Sequence, residues 1–320
     1  MVQVDFINVG YGDAVLLRFF SAGHAVYRVL IDCGDIETGC PSHLSRRIHA
    51  ADYLKKMGID ALDLVIISHL HLDHVGGLPR IAESVRIKEL WTNYLAPREI
   101  WGQQASTQGI RNQGDVCLIK ALNALNYSVA LLDENGCTIR CITDNCSLSV
   151  RDESGSMLEL FVPDREILDR QRMIFDHVCG NVRNEFELHA LDLFINNTSL
   201  RAVVTAEDKR ISLPGDTYGA YWEHCGYEPC DILKIPHHGH ADGITGKILA
   251  EMRPSDVVIS VSDDRTDDCP SLMLLELLEQ MNIPTAFTDA VITGHGSSDH
   301  HEAVRYTISR SGIERSYVKI

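Results

Sequence analysis

The 320 residues carry a net charge of −16, a hydrophobic content of 45% and ten cysteines. This length and apolar content suit a globular chain with an ample core, either one large domain or two small ones. So acidic a balance argues against a broad basic footprint for duplex nucleic acid, whose binding rests on releasing counterions from phosphates. It leaves a nuclease open, because bound divalent cations supply positive charge at the site itself.

Taken in order, residues 2–9 alternate as a strand and end at Gly10-Tyr11-Gly12-Asp13. Residues 14–20 and 27–31 read as the next strands, the latter ending in Asp32-Cys33-Gly34-Asp35; short runs with glycine turns predict a meander. Residues 42–57 have helical spacing and stop at Gly58. A buried strand over residues 62–67 runs into a loop carrying His69, His71, Asp73 and His74, followed by Gly76-Gly77 and a helix starting at Leu78. Residues 86–94 form another strand, 96–114 are irregular and polar, and 116–125 are a short helix. Strands are expected at 128–132, 136–142, 147–150 and 157–163, with a charged stretch at 164–187 read as short helix and loop, an insert or lid beside the site. Residues 188–205 give two strand-like runs around Asn196-Asn197-Thr198-Ser199. Strands at 209–213 and 231–235 lead into Pro214-Gly215-Asp216-Thr217 and Pro236-His237-His238-Gly239-His240. The chain closes with a strand at 257–261, a helix at 272–281 and strands at 285–288, 306–309 and 316–320.

No Pro/Gly/Ser-rich linker divides the chain, so residues 1–320 are expected to form one domain of two sheets covered by helices. The N-terminus has neither a basic nor a continuous apolar leader, and no apolar run approaches the ~20 residues of a membrane helix. The cysteines lack any CxxC and read as reduced thiols, although Cys137, Cys141 and Cys146 are spaced to admit a small zinc site. A cytoplasmic protein without a membrane partner is expected.

Three histidines and an aspartate, within six residues of one another after a buried strand, deliver imidazoles and a carboxylate to one point, as a pair of borderline-soft divalent ions requires. Four loops share this design: His69/His71/Asp73/His74, 196–199, Asp216 and His237/His238 each follow a buried strand, which suggests one sheet edge where all converge. His295, His300 and His301, in GHGSSDHH, read instead as a solvated loop.

The motifs SHLHLDHVGG, NNTSL, LPGDT and KIPHHG, in this order, resemble the metallo-β-lactamase superfamily. Within it they are most similar to the metallo-hydrolase domain of ComEC-type competence proteins. The resemblance covers nearly the whole chain and implies an α/β fold, a four-layer αββα sandwich, with a dinuclear site at the sheet edge. Carried over, His69 and His71 would bind one metal, Asp73, His74 and His237 the second, and Asp216 would bridge them. Zinc is the expected metal, manganese the alternative.

The further histidine that many relatives use for the first metal is absent where this chain has Asn197 and Ser199. His189 substitutes for it only in an unusual register, so Asn197, water or substrate would complete that site. His240 stands where the competence branch usually has serine, and Asp268-Cys269-Pro270 stands near its Gly-His-Pro.

The expected reaction is hydrolysis by a metal-bridging hydroxide, oriented by Asp73, with His238 contacting substrate or protonating the leaving group. Asn197, Ser199 and His240 are expected to bind substrate. A phosphodiester, DNA among the options, is the expected substrate, and a protein partner could supply basic surface. Trp91, Tyr94 and Trp101 near Arg98 could stack single-stranded bases, but core packing explains Trp91 and Tyr94 more cheaply. The alternatives are a small-molecule phosphodiesterase or thioester hydrolase and, from another class, a non-catalytic metal-containing binding module.

Overall fold

A computed structural model describes residues 1–41, 45–180, 182, 184–263, 269–289 and 300–320. Its first sheet begins with β1 (Val2–Ile7), β2 (Val15–Ser21) and β3 (His24–Ile31), antiparallel neighbours as the glycine turns predict. Helix α1 (Ala50–Lys56) then precedes β4 (Ala61–Ile66), which pairs parallel to β3. A four-residue helix, α2 (Leu72–Val75), and α3 (Leu78–Ser84) lead to β5 (Arg86–Thr92). Helix α4 (Gln113–Glu134) crosses to β6 (Thr138–Cys141), again parallel.

The second sheet opens with β7 (Cys146–Ser149) and β8 (Met157–Phe161), after which α5 (Arg165–Cys179) and α6 (Glu185–Asp192) return to the first half. It continues with β9 (Arg201–Ala206), β10 (Lys209–Leu213), α7 (Gly219–Cys225), β11 (Ile232–Lys234), α8 (Gly246–Met252) and β12 (Asp256–Ile259). After α9 (Leu272–Gln280) and β13 (Thr285–Phe287), the chain rejoins the first sheet through β14 (Ala303–Ser309) and β15 (Gly312–Val318). The strand orders are β15-β14-β1-β2-β3-β4-β5-β6 and β13-β12-β11-β10-β9-β8-β7.

Strand alternation decides the layers. Val2, Val4 and Phe6 of β1 and Leu17 and Phe19 of β2 share a core with Leu158, Leu160, Ala202, Val204 and Ile211 of the second sheet, which packs the sheets face to face. The opposite face of the first sheet, with Leu16, Leu30 and Val65, is covered by Tyr53 and Leu54 of α1 and by Leu118, Leu122 and Leu125 of α4. The outer face of β11 and β12 is covered by α8 and α9 through Ile248, Leu249, Leu274 and Leu278. Three cores between four layers make the αββα sandwich expected from the sequence. Helix α4 is long and apolar enough to cross a membrane, yet it spends its apolar residues on the outer core of the first sheet.

Several local readings change. Residues 128–132 belong to α4 and are not a strand, and α1 is shorter than the predicted 42–57, of which 42–44 lie outside the described residues. The first strand-like run after residue 188 is helical, because Leu188 and Leu191 are buried three apart and Asn184 caps α6 by accepting from Phe186 N–H. Residues 165–179 form one helix that buries Ile174, Phe175 and Val178 in the outer core, a longer element than the expected mixture of short helix and loop. Neither α7 nor α8 was expected.

On the outer face of the first sheet, the fully buried Asp5 carboxylate ties three elements together. It accepts from Arg18 Nη2 at 3.0 Å, from Arg305 Nε and Nη2 at 2.6 and 2.8 Å and from Tyr53 Oη at 2.9 Å. Removing the carboxylate leaves two guanidinium groups in a poorly hydrated place. Asp5→Ala is expected to cost about 3 kcal/mol of folding free energy, read as a lowered midpoint in urea unfolding; an unchanged midpoint would contradict this role.

Candidate metal centre

The carboxyl ends of β3, β4, β10 and β11 supply the loops of the site, as the sequence pattern suggested. After β4 the chain places His69 and His71 with Nε2 and Nδ1 facing each other at 3.2 Å, and the short α2 then carries Asp73 and His74. The loop after β1 closes over this turn, with Asp13 N–H donating to Asp73 O at 3.2 Å. Gly12 is required there: its φ is +126° and a Cβ would sit 2.2 Å from the Asp73 carbonyl oxygen.

His74 is fully buried and held from both sides. Its Nδ1 lies 2.8 Å from Asp32 Oδ2, so its Nε2 faces Asp216 Oδ2 at 3.1 Å. Asp32 also accepts from the backbone N–H and the hydroxyl of Ser68, both at 2.7 Å, locking the start of the histidine loop. A carboxylate behind an imidazole in this way fixes its tautomer and orientation for a metal.

Asp216 arrives from β10. Its N–H donates to Ser199 Oγ at 3.2 Å, and Gly215, with φ +60°, passes so close that a Cβ would lie 2.9 Å from Ser199 Cβ and Oγ. From β11 comes Lys234, buried to 1% exposure, which pairs with Asp13 and lies 3.3 Å from Asp216 Oδ1.

The paired histidines sort differently from expectation. His237 and His238 both have φ near +50°, a left-handed conformation uncommon outside glycine. This turns His238 inward, with Nε2 3.1 Å from both Asp73 Oδ2 and Asp216 Oδ2. His237 turns to the rim, where Nδ1 meets Asp242 Oδ1 at 2.7 Å and Nε2 meets Asn196 Nδ2 at 3.2 Å. The structure therefore groups Asp73, His74, Asp216 and His238, and leaves His237 outside that group. The sequence reading instead puts His237 on the metal and His238 toward the substrate.

Charge explains what the cluster suits. Four buried or nearly buried carboxylates, Asp13, Asp32, Asp73 and Asp216, gather here, and the buried Lys234 pairs with two of them, Asp13 and Asp216. Burial would raise the Asp216 carboxyl, but His238, His74 and Lys234 hold it well below the usual range. Burial would lower His238, but Asp216 and Asp73 push it up to about 9, and His74 is likewise raised despite burial. Burial, with His74 and His71 alongside, drives His69 well below the ordinary histidine value and leaves it a neutral donor. His238 Nε2 approaches both carboxylates without hydrogen-bond geometry, so these atoms converge on a common point. Imidazoles and carboxylates meeting in this way fit divalent cations. His69 and His71 stand beside the group, the His69 and His74 rings 4.2 Å apart, and Asp192 at the end of α6 lies 3.8 Å from His71 Nε2.

The expected substrate contacts are engaged internally. Ser199 is buried and donates its hydroxyl to Asn196 O at 2.7 Å, and Asn197 Oδ1 accepts from Tyr218 N–H at 3.1 Å. Both brace the site loops. His240 is half-buried with its ring 4.5 Å from that of His237. His189 lies on α6, where an unusual strand register does not arise. His301 is not solvated: it is buried just before β14, with Nε2 3.0 Å from Phe287 O. His295 and Asp268 lie outside the described residues. Among the described residues no disulfide forms, and Cys137, Cys141 and Cys146 do not form a metal-binding group.

Asp13, Asp32 and Lys234 escaped the sequence reading. Their signals were carboxylates just after strands β1 and β3 and a lysine inside the apolar run DILKIP.

Residues 11–107 match the family model described as Metallo-beta-lactamase superfamily. ComE operon protein 3 of Bacillus subtilis is 23% identical over 308 residues, which cover 90% of this chain and 32% of that protein. Ribonuclease Z of Clostridium beijerinckii is 26% identical over 153 residues, covering 47% of this chain and 43% of the relative. Among solved structures, the metallo-beta-lactamase fold protein YhfI from Bacillus subtilis aligns with a TM-score of 0.46 and 11% identity, covering 91% of this chain and 98% of the other. The chain thus spans about a third to a half of the length of these curated relatives.

His238→Ala is expected to lower the amount of metal retained through gel filtration, whereas His237→Ala keeps it; equal loss in both would contradict the geometry. Asp32→Asn, acting through His74, should weaken metal affinity by roughly 10–100-fold in a chelator competition.

Proposed function

We propose that the chain is a metallo-β-lactamase superfamily protein, to which residues 11–107 are similar, and that it is a dinuclear metal-dependent hydrolase of phosphodiesters. The observation that carries this reading is the meeting of Asp73, His74, Asp216 and His238 beside His69 and His71 at one sheet edge. One divalent ion would be held by His69 and His71, a second by Asp73, His74 and His238, with Asp216 shared between them. Zinc is favoured over manganese by the imidazole-rich donor set. Bound there, the ions would supply Lewis acidity toward a phosphoryl oxygen and activation of water at neutral pH.

The chain's own groups do the rest. Asp32 holds the His74 ring in place through Nδ1. Lys234 offsets part of the carboxylate charge without occupying the mouth. Asp73, on the first turn of α2, would orient the attacking water. His237 stands at the rim with Nδ1 on Asp242 and Nε2 accepting from Asn196 Nδ2, so it would take a proton at Nε2, releasing Asn196, before handing it to a leaving group. The role first given to His238 thus passes to its neighbour.

The phosphodiester class is supported by the relative named ribonuclease Z. The net charge of −16 favours a small phosphodiester or a short single strand over a long duplex.

The test is hydrolysis of bis(p-nitrophenyl) phosphate, single-stranded DNA and double-stranded DNA, with zinc, with manganese and with chelator. Chelator and Asp73→Ala are each expected to abolish turnover, and His237→Ala to lower kcat by about 10²–10⁴-fold with metal retained. Full activity in Asp73→Ala would overturn the assignment. Bound metal without turnover of any of the three would favour a non-catalytic binding module.

A further inference from the structure

Away from the metal centre, the outer face of the second sheet carries a buried cation without a carboxylate partner. Strand alternation turns Leu158, Leu160, Ala202, Val204, Ile211 and Leu213 toward the core between the sheets. Their neighbours Phe161, Arg201 and Val203 therefore face outward, where they floor a cavity of about 470 Å³. Helix α7 and the turn after it form one wall, through Trp222 and Tyr227.

Arg201 is only 9% exposed. Its Nη1 donates to Gly226 O at 3.1 Å, and its guanidinium carbon lies 5.9 Å from the Phe161 ring centroid. Among the described residues no carboxylate forms an ion pair with it. Asp164, which acts on it through space, is instead bonded by Tyr221 Oη at 3.1 Å. A guanidinium offers five donors in a planar fork suited to a carboxylate or phosphate, and here one carbonyl, Gly226 O, accepts from it. In a chain of net charge −16 an acidic partner would be easy to supply from within.

Arg210 lines the same cavity; its Nη1 donates to Pro229 O at 3.3 Å and lies 3.9 Å from the carboxylate of Glu228, an exposed residue that also lines the cavity. Glu159 also lines it, opposite Val203 in the β8–β9 register, and so favours a ligand with a hydrogen-bond donor at that end. The volume falls within the range of small-molecule sites, which combine apolar walls with a few placed polar groups.

We infer that this cavity binds a small organic anion, its carboxylate or phosphate on Arg201 and its flat apolar body against Phe161, Val203 and Tyr227. The class includes nucleoside monophosphates, whose exocyclic amino or ribose hydroxyl groups would meet Glu159. The site is separate from the metal centre but connected to it. Tyr218, at the start of α7, binds Asn197 and packs its ring 5.3 Å from that of His237, while the far end of the same seven-residue helix walls the cavity, ~10 Å away along its axis.

The experiment is calorimetric titration of the full chain with adenosine 5′-monophosphate, benzoate and inorganic phosphate, in wild type, Arg201→Met and Val203→Phe. Saturable binding of the nucleotide or benzoate that weakens at least ~10-fold in both variants is expected, since one removes the charge-assisted fork and the other fills the cavity. Arg201→Met should keep the wild-type Tm without ligand, because it discards a buried charge while keeping a similar stem. Should that variant fail to fold, Val203→Phe decides alone. No saturable binding of any probe, binding unchanged in the variants, or phosphate alone binding as tightly as the nucleotide would each overturn the inference. Binding is the readout, so the result stands apart from whether the metal centre hydrolyses phosphodiesters.

Discussion

The site depends on one buried carboxylate. Asp32 sits at the end of β3 with φ +59° and accepts from two groups of Ser68 and from the His74 ring. Three hydrogen bonds satisfy a charge that burial alone makes expensive; burial in fact outweighs them and leaves its carboxyl raised. The same bonds fix where the loop after β4 begins and which nitrogen His74 turns toward Asp216. Without this anchor the histidine loop would be a polar segment free to choose its own turn.

Around that anchor the topology does most of the gathering. Parallel pairing of β3 with β4 and of β10 with β11 brings their carboxyl ends to common edges, where parallel sheets ordinarily host ligands. The two sheets are then pressed together by the core between them, so the edges meet. Lys234 shows how closely this is drawn: at the end of β11, three residues before His237, it links Asp13 from the first sheet to Asp216 from the second. The Lys234 ammonium reduces the repulsion between these two carboxylates and leaves the remaining negative charge for divalent ions.

Much of this was legible in the sequence because strands ending in ligand-type residues are a local pattern. The histidine loop, Asp216 and the two-sheet sandwich all came from apolar runs and the residues that stop them. The misreadings are equally local. The apolar segment 128–132 reads alike as buried strand or buried helix, and only the context of the 22-residue α4 decides. His301 lies in a Gly/Ser/Asp-rich stretch but caps the core by bonding Phe287 O, a tertiary contact that composition does not encode. Ser199 and Asn197, polar residues in a site loop, look like substrate contacts in sequence and serve as struts in space.

The exchange between His237 and His238 has a single cause. Adjacent residues in an ordinary loop diverge, and nothing in the letters HH says which ring points inward. Here both take left-handed backbone angles, followed by Gly239 at φ +81°. Non-glycine residues held there store strain of order 1–3 kcal/mol each, so their surroundings must hold them in place. Two contacts do so: Asp216 Oδ1 accepts from the His237 N–H at 3.1 Å, and Cys269 Sγ donates to the His238 carbonyl at 2.9 Å. The carboxylate that faces His238 thus also grips the backbone that aims it. Ligand placement and backbone strain are set by the same residue, and this coupling turns one histidine of the pair into the cluster and keeps the other at its mouth.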